Sequence, residues 1–144
     1  MELTLKQALQ KGIEAHKARN VQEADRYYTA ILKANPKHGD ANHNMGVLAV
    51  GIGRVQEALS FFKTAIEADP KVAQYWLSYI DALVKLGKID DATAALEQAR
   101  IKGAKEDTFE QIEKRIGLAT SKSSNIQEPP PEELNSLIIL YNQN

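Results

Sequence analysis

The sequence contains no cysteine, which excludes disulfides, thiolate metal sites, iron–sulfur clusters and a cysteine nucleophile. Charge of one sign is also missing: eighteen Lys plus Arg stand against nineteen Asp plus Glu, a net charge of −1 at pH 7. A nucleic-acid binder needs a basic face to displace counterions from phosphates, so that class is set aside. Long hydrophobic runs are absent too. The uncharged stretch from Asn42 to Gly53 carries polar residues and falls short of a membrane span. The opening Met-Glu-Leu-Thr-Leu-Lys has no basic-then-apolar leader pattern. The expectation is a cytoplasmic chain with no membrane partner. Aromatic residues make up only 6%, yet 43% of the 144 residues are apolar and 26% charged, enough to bury a core.

What is present is a period. Ala24, Ala58 and Ala92 lie 34 residues apart, and four residues after each comes a large apolar side chain, Tyr28, Phe62 and Leu96. Ile31, Ala65 and Ala99 follow in the same register, as do the pairs Pro36/Pro70 and Gly12/Gly46. This is the tetratricopeptide (TPR) pattern, W-x2-L-G-x2-Y followed by A-x3-F and P, and the chain resembles that family. The fold implied is all-α, an α-solenoid of helix hairpins in three repeats at about 5–38, 39–72 and 73–106. Small residues at Gly12, Ala24, Gly46, Ala58 and Ala92 let helices approach, and Tyr28, Phe62 and Leu96 fill the space between hairpins. Pro36 and Pro70 stop the second helix of a pair, while Gly53 and Gly87 open the turn inside it. The helices are expected at 5–18 and 21–34, 39–52 and 55–68, 73–86 and 89–101. The third repeat departs from the pattern at Ile80 and Ala104, and the first at Ala8 and Lys11.

Phe109, Ile112, Ile116 and Ala119 make one apolar stripe, so a capping helix is expected at about 107–119, completing a domain of 1–119. The Ser/Pro-rich 120–130 reads as a linker. Pro131, Glu132 and Glu133 then start a strongly apolar helix carrying Leu134, Leu137, Ile138, Leu140 and Tyr141. Asn135 falls on the column of Asn44, so 131–144 is expected to be the first helix of an incomplete further repeat. Its stripe of Leu134, Leu137, Ile138 and Tyr141 is a candidate self-association element, covered either by the chain's own groove or by a second copy in a homo-oligomer.

The phrases 38–59, 61–92 and 129–144 resemble the N-terminal TPR region of large bacterial proteins. In that family the repeats precede a transferase domain, often an O-linked N-acetylglucosamine transferase-like glycosyltransferase, sometimes a sulfotransferase or methyltransferase. The resemblance implies a segment of a larger protein whose catalytic domain is absent here.

In this family the first helix of each hairpin lines the concave peptide groove. By column, the candidate lining is Lys6, Leu9, Gln10, Ile13, His16 and Lys17 from the first repeat. The second supplies Asp40, His43, Asn44, Val47 and Val50, and the third Gln74, Leu77, Ser78, Asp81, Val84 and Lys85. The two-carboxylate clamp of chaperone-tail binders is rejected, because Leu9, Ile13, Gln74 and Ser78 occupy its positions and only Asn44 matches. The asparagine ladder of the glycosyltransferase relatives keeps Asn44 and Asn135 but is interrupted by Gln10 and Ser78.

His16, His38 and His43 lack carboxylate partners at metal spacing and are read as solvated or groove-lining, not as metal ligands. Of Tyr75, Trp76 and Tyr79, only Tyr75 is expected to be exposed. No G-x-S-x-G, phosphate loop or dinucleotide fingerprint occurs. The expectation is a non-catalytic scaffold without a cofactor that binds a protein or peptide; the alternative is the substrate-recognition arm of a modifying transferase.

Overall fold

The computed structural model describes residues 3–104 and 109–121. They form seven helices in chain order: α1 (Leu5–Lys17), α2 (Val21–Ala34), α3 (Gly39–Gly51), α4 (Val55–Ala68), α5 (Ala73–Lys85), α6 (Ile89–Ile101) and α7 (Phe109–Ser121). The architecture is an all-α solenoid: α1 pairs with α2, α3 with α4 and α5 with α6, and each pair stacks on the next. Residues 120 and 121 of the expected linker are the end of α7; 122–130, the final helix 131–144 and its Leu134, Leu137, Ile138 and Tyr141 lie outside the described residues.

Local chemistry sets the helix ends. Thr4 and Gln7 form a reciprocal capping box at the start of α1, with Oγ1 accepting from the Gln7 N–H at 3.1 Å and Gln7 Oε1 from the Thr4 N–H at 2.9 Å. Asn20 Oδ1 caps α2, accepting from the Glu23 N–H at 3.3 Å. His38, read from sequence as solvated or groove-lining, instead caps α3, its Nδ1 accepting from the Ala41 N–H at 3.1 Å. Gly53 and Gly87 take φ of +84° and +75° inside their hairpin turns, a conformation that costs glycine nothing. The same column in the first hairpin holds Arg19, which is forced to φ +62°.

The core repeats with the period, and its variations compensate one another. A Cβ on Gly12 would stand 2.6 Å from the Tyr28 ring, and one on Gly46 2.4 Å from the Phe62 ring. The glycines are therefore seats for aromatic rings. In the third hairpin the seat is filled by Ile80 and the ring is replaced by the smaller Leu96, both buried. The departure at Ile80 is a swap of volume between facing positions. Asn42 and Trp76 share another column, and each ties its helix to the proline turn before it. Asn42 Nδ2 donates to the Pro36 carbonyl at 3.0 Å, and Trp76 Nε1 to the Pro70 carbonyl at 2.7 Å.

α7 packs on both α5 and α6. Phe109 and Ile112 are buried, Arg100 lies 5.6 Å from the centre of the Phe109 ring, and Arg115 pairs with Asp81 of α5. The register break therefore adds a helix to the end of the stack without a new repeat of the 34-residue type.

Candidate functional site

The first helices of the hairpins form one layer, α1 against α3 and α3 against α5. The middle helix is consequently enclosed on several sides, and every residue from Ala41 to Ala49 is buried. Of the candidate lining residues, Ile13, Val47 and Leu77 belong to the apolar core. Leu9, His16, Asp40, Gln74 and Asp81 are half-buried, and Lys17 is exposed. His43, Asn44 and Ser78 are buried polar groups with at most 3% exposure.

These polar groups are joined. His43 Nδ1 lies 3.2 Å from Asn44 Oδ1, which can only accept, so Nδ1 carries the proton. In the neutral ring Nε2 then accepts from Ser78 Oγ, 2.7 Å away. Desolvation lowers the His43 pKa from 6.5 to about 4, outweighing the opposing effect of the hydrogen bond it donates to Asn44, with a further small lowering from His16. Beside this chain, Tyr75 Oη donates to Asp40 Oδ1 at 2.6 Å, and the His43 ring rests 5.3 Å from that of Tyr75 and 5.8 Å from that of Phe62. Burial and the neighbouring Asp40 push the Tyr75 hydroxyl well above its ordinary range.

The order Ser78, His43, Asn44 mimics nucleophile, base and orienting residue. Its burial denies Ser78 Oγ a substrate, so it is a structural hydrogen-bond chain tying α3 to α5. Among the described residues no cluster of His, Asp and Glu is arranged to hold a metal. No described helix is long and apolar enough to cross a membrane.

Tyr75 corrects the sequence reading. Expected to be exposed, it is 2% exposed. The reason lies one repeat earlier: Gly39 has no Cβ, and one placed there would be 2.7 Å from Tyr75 Oη. That vacancy admits the phenol against α3. Sequence reasoning also missed Arg115, whose partner Asp81 is 34 residues away, and the pairing of His43 with Ser78 across 35 residues.

One feature of the layer stands apart energetically. The side-chain amide nitrogens Asn44 Nδ2 and Gln74 Nε2 are buried and have no hydrogen-bond acceptor. Buried donors are satisfied in the great majority of cases, and leaving one unpaired costs about 1–3 kcal/mol. These two sit on the neighbouring helices α3 and α5.

The tetratricopeptide repeat family profile matches residues 15–78 and 49–111. The chain is a member of the tetratricopeptide repeat family. Over 69 residues it is 36% identical to cellulose synthase operon protein C of Komagataeibacter xylinus, a match covering 48% of this chain and 5% of that protein. The chain thus corresponds to a small part of that relative's length.

Among solved structures it is similar to an O-GlcNAc transferase mutant of Thermobaculum terrenum, with TM-score 0.70 and 20% identity over 99% of this chain and 27% of the other. It is also similar to the TPR2B domain of yeast Sti1 in its complex with pHsp70, with TM-score 0.63 and 19% identity over 96% of both chains. These two likenesses establish the fold. A fold of this kind is consistent with a protein-interaction scaffold.

Proposed function

We propose that the face built from α1, α3 and α5 is a groove that binds a peptide or a helix of a partner protein. The observation that carries this reading is the layer of α1, α3 and α5, whose half-buried Leu9, His16, Asp40, Gln74 and Asp81 and exposed Lys17 remain open to contact. The half-buried Gln74 carries a neutral amide, which suits a carbonyl oxygen of a bound segment better than a terminal carboxylate. Beneath these side chains Ile13, His43, Val47, Leu77 and Ser78 form a buried layer.

The test uses a peptide selected on the full chain from a random display library. Gln74→Leu removes an unsatisfied donor at similar volume, so stability should hold or rise while affinity for that peptide falls about tenfold, the worth of one hydrogen bond. Asn44→Ala should weaken binding as well. Unchanged affinity in both variants, or peptide-induced amide shifts confined to α2, α4 and α6, would overturn the assignment of the groove.

A second reading, a substrate-recognition arm of a bacterial protein-modifying transferase, draws support from the fold shared with the Thermobaculum terrenum O-GlcNAc transferase. It requires that deleting the repeats from the parent protein abolish modification of the selected peptide while leaving the catalytic domain folded. Retained modification would dismiss it.

A further inference from the structure

We propose that the first hairpin is a hinged cover: α1 swings off α3 about the contact between α2 and α3, and the partner segment enters the cleft so opened between α1 and α5. This deepens the groove reading, on which it rests, by making opening a step of binding.

Burial is uneven along the layer of first helices. α1 keeps Lys6, Gln10 and Lys17 exposed, and α5 keeps Asp81 and Lys85 half-buried. The same columns of α3 are shut: His43 and Asn44 are 0% exposed and Val47 1%. α1 packs against one flank of α3 and α5 against the other, so a segment reaches these three residues only if one flank moves. The closed packing also leaves Asn44 Nδ2 without an acceptor. A finished core pairs such a group, and opening supplies it with water or with a carbonyl of the entering segment.

The two flanks are held differently. On the α5 side, Ser78 Oγ donates to His43 Nε2 at 2.7 Å and Tyr75 Oη to Asp40 Oδ1 at 2.6 Å. There the second hairpin, the third and α7 also share one continuous apolar core, running from Val47 and Phe62 through Leu96 to Ile112. Among the described residues, Ile13 is the one buried side chain of the first hairpin in that core, with half-buried Leu9 against it. The other buried apolar side chains of that hairpin stand in two small separate clusters. Ala8 and Ile31 meet Ala41 in one, and Ala15, Ala24 and Tyr28 meet Met45 and Leu48 in the other.

Within itself the first hairpin is tight. The Tyr28 ring fills the Gly12 seat, and its hydroxyl meets His16 Nδ1 at 3.1 Å. It is therefore a stiff unit on a narrow seam, and units of that kind open locally before the whole chain unfolds. α2 packs on α3 more extensively than α1 does, which puts the pivot at α2 and the moving edge at α1.

With no native cysteine, single thiols report opening in the free full chain. Val47→Cys lies under the cover and Ala99→Cys in the core of the third hairpin. Labelling by a soluble thiol reagent in urea below the unfolding midpoint should be about tenfold faster or more at residue 47. It should also be nearly independent of urea there, because the swing exposes little surface, while residue 99 shows the full slope of global unfolding. The slope, unlike the rate, is insensitive to a destabilised variant. Equal slopes at the two positions would overturn the cover.

Coupling to binding is read from the spin-label distance between Ala18→Cys and Lys88→Cys, at the turns inside the first and third hairpins. Saturation with the display-selected peptide should lengthen it by about 5 Å or more, the width of an extended chain. The control pair Arg54→Cys and Lys88→Cys should not change. An unchanged first distance overturns the proposal, and so does equal lengthening in both pairs, which would mean that the whole stack flexes. The groove reading fails separately: a peptide whose affinity ignores both Gln74→Leu and Asn44→Ala refutes the groove whatever the thiols report.

Discussion

Acidification should destabilise this protein before its carboxylates begin to protonate, and His43 is the reason. Its ring is 0% exposed, and desolvation lowers its pKa from the ordinary 6.5 to about 4. Between those values the unfolded chain holds a proton that the folded chain refuses, so the unfolded state binds more protons and stability rises with pH. The stabilisation is complete above pH 6.5 and is lost as pH falls towards 4. Each pH unit in which one such proton is withheld is worth about 1.4 kcal/mol, so His43 accounts for about 3 kcal/mol over the window.

His16 is shifted the same way, also to about 4, by partial burial. It therefore adds a parallel slope over the same window. Protonation at His43 Nε2 would also break the hydrogen bond that Ser78 Oγ donates to it. The assay is urea unfolding followed by far-ultraviolet circular dichroism at half-unit steps from pH 5 to 7, where carboxylates stay ionised. His43→Gln should lower stability at pH 7 by disturbing the chain between Asn44 and Ser78. Whatever that loss, the slope of stability against pH between 5 and 6 should drop by about 1 kcal/mol per unit. Parallel curves for the two proteins would refute the buried neutral histidine.

Other predictions follow from single contacts. Gly46→Ala places a Cβ 2.4 Å from the buried Phe62 ring; overpacking of about 1–3 kcal/mol exceeds the helix-propensity gain of about 1 kcal/mol, so the denaturation midpoint should fall. Adding Phe62→Leu should recover part of the loss, because Ile80 and Leu96 already use that combination; no recovery would mean that the ring does not occupy the glycine seat. Arg19→Gly should stabilise by about 0.5–1 kcal/mol, since a φ of +62° costs a non-glycine residue about 1–2 kcal/mol and glycine's extra unfolded-state freedom returns only part of that. A lower melting temperature would show that the Arg19 side chain outweighs its backbone. Arg115→Ala removes the partly buried pairing with Asp81 and should raise hydrogen exchange in α7 while leaving α1–α4 unchanged, at a cost of about 1–2 kcal/mol. Unaltered exchange would remove that pair from the forces docking α7.

How much of this was legible in the sequence differs from layer to layer. The first six helices begin at the residues the 34-residue period indicated, and their ends differ by at most one residue. That success has a local cause: proline, the turn glycines and the apolar spacing act within a few residues of their own position, whichever element packs on them. The same period marked α3 and α5 as groove lining by column; in the structure the contact between them joins His43 to Ser78 and Asp40 to Tyr75.

Tertiary packing decided the rest. Tyr75 turns inward because Gly39, 36 residues earlier, leaves room for it. His43 becomes a neutral core residue because packing removes its ring from water, and Ser78 of the next hairpin donates to that ring. Asp81 is engaged by Arg115 from a helix outside the repeat register. A repeat dictates which residues stand in each column, and that follows from sequence alone. Whether a polar side chain in a column is wet, paired or left with an unmet donor depends on what the adjacent hairpin contributes, since burial and hydrogen bonding are properties of the contact between chain segments and not of either segment by itself.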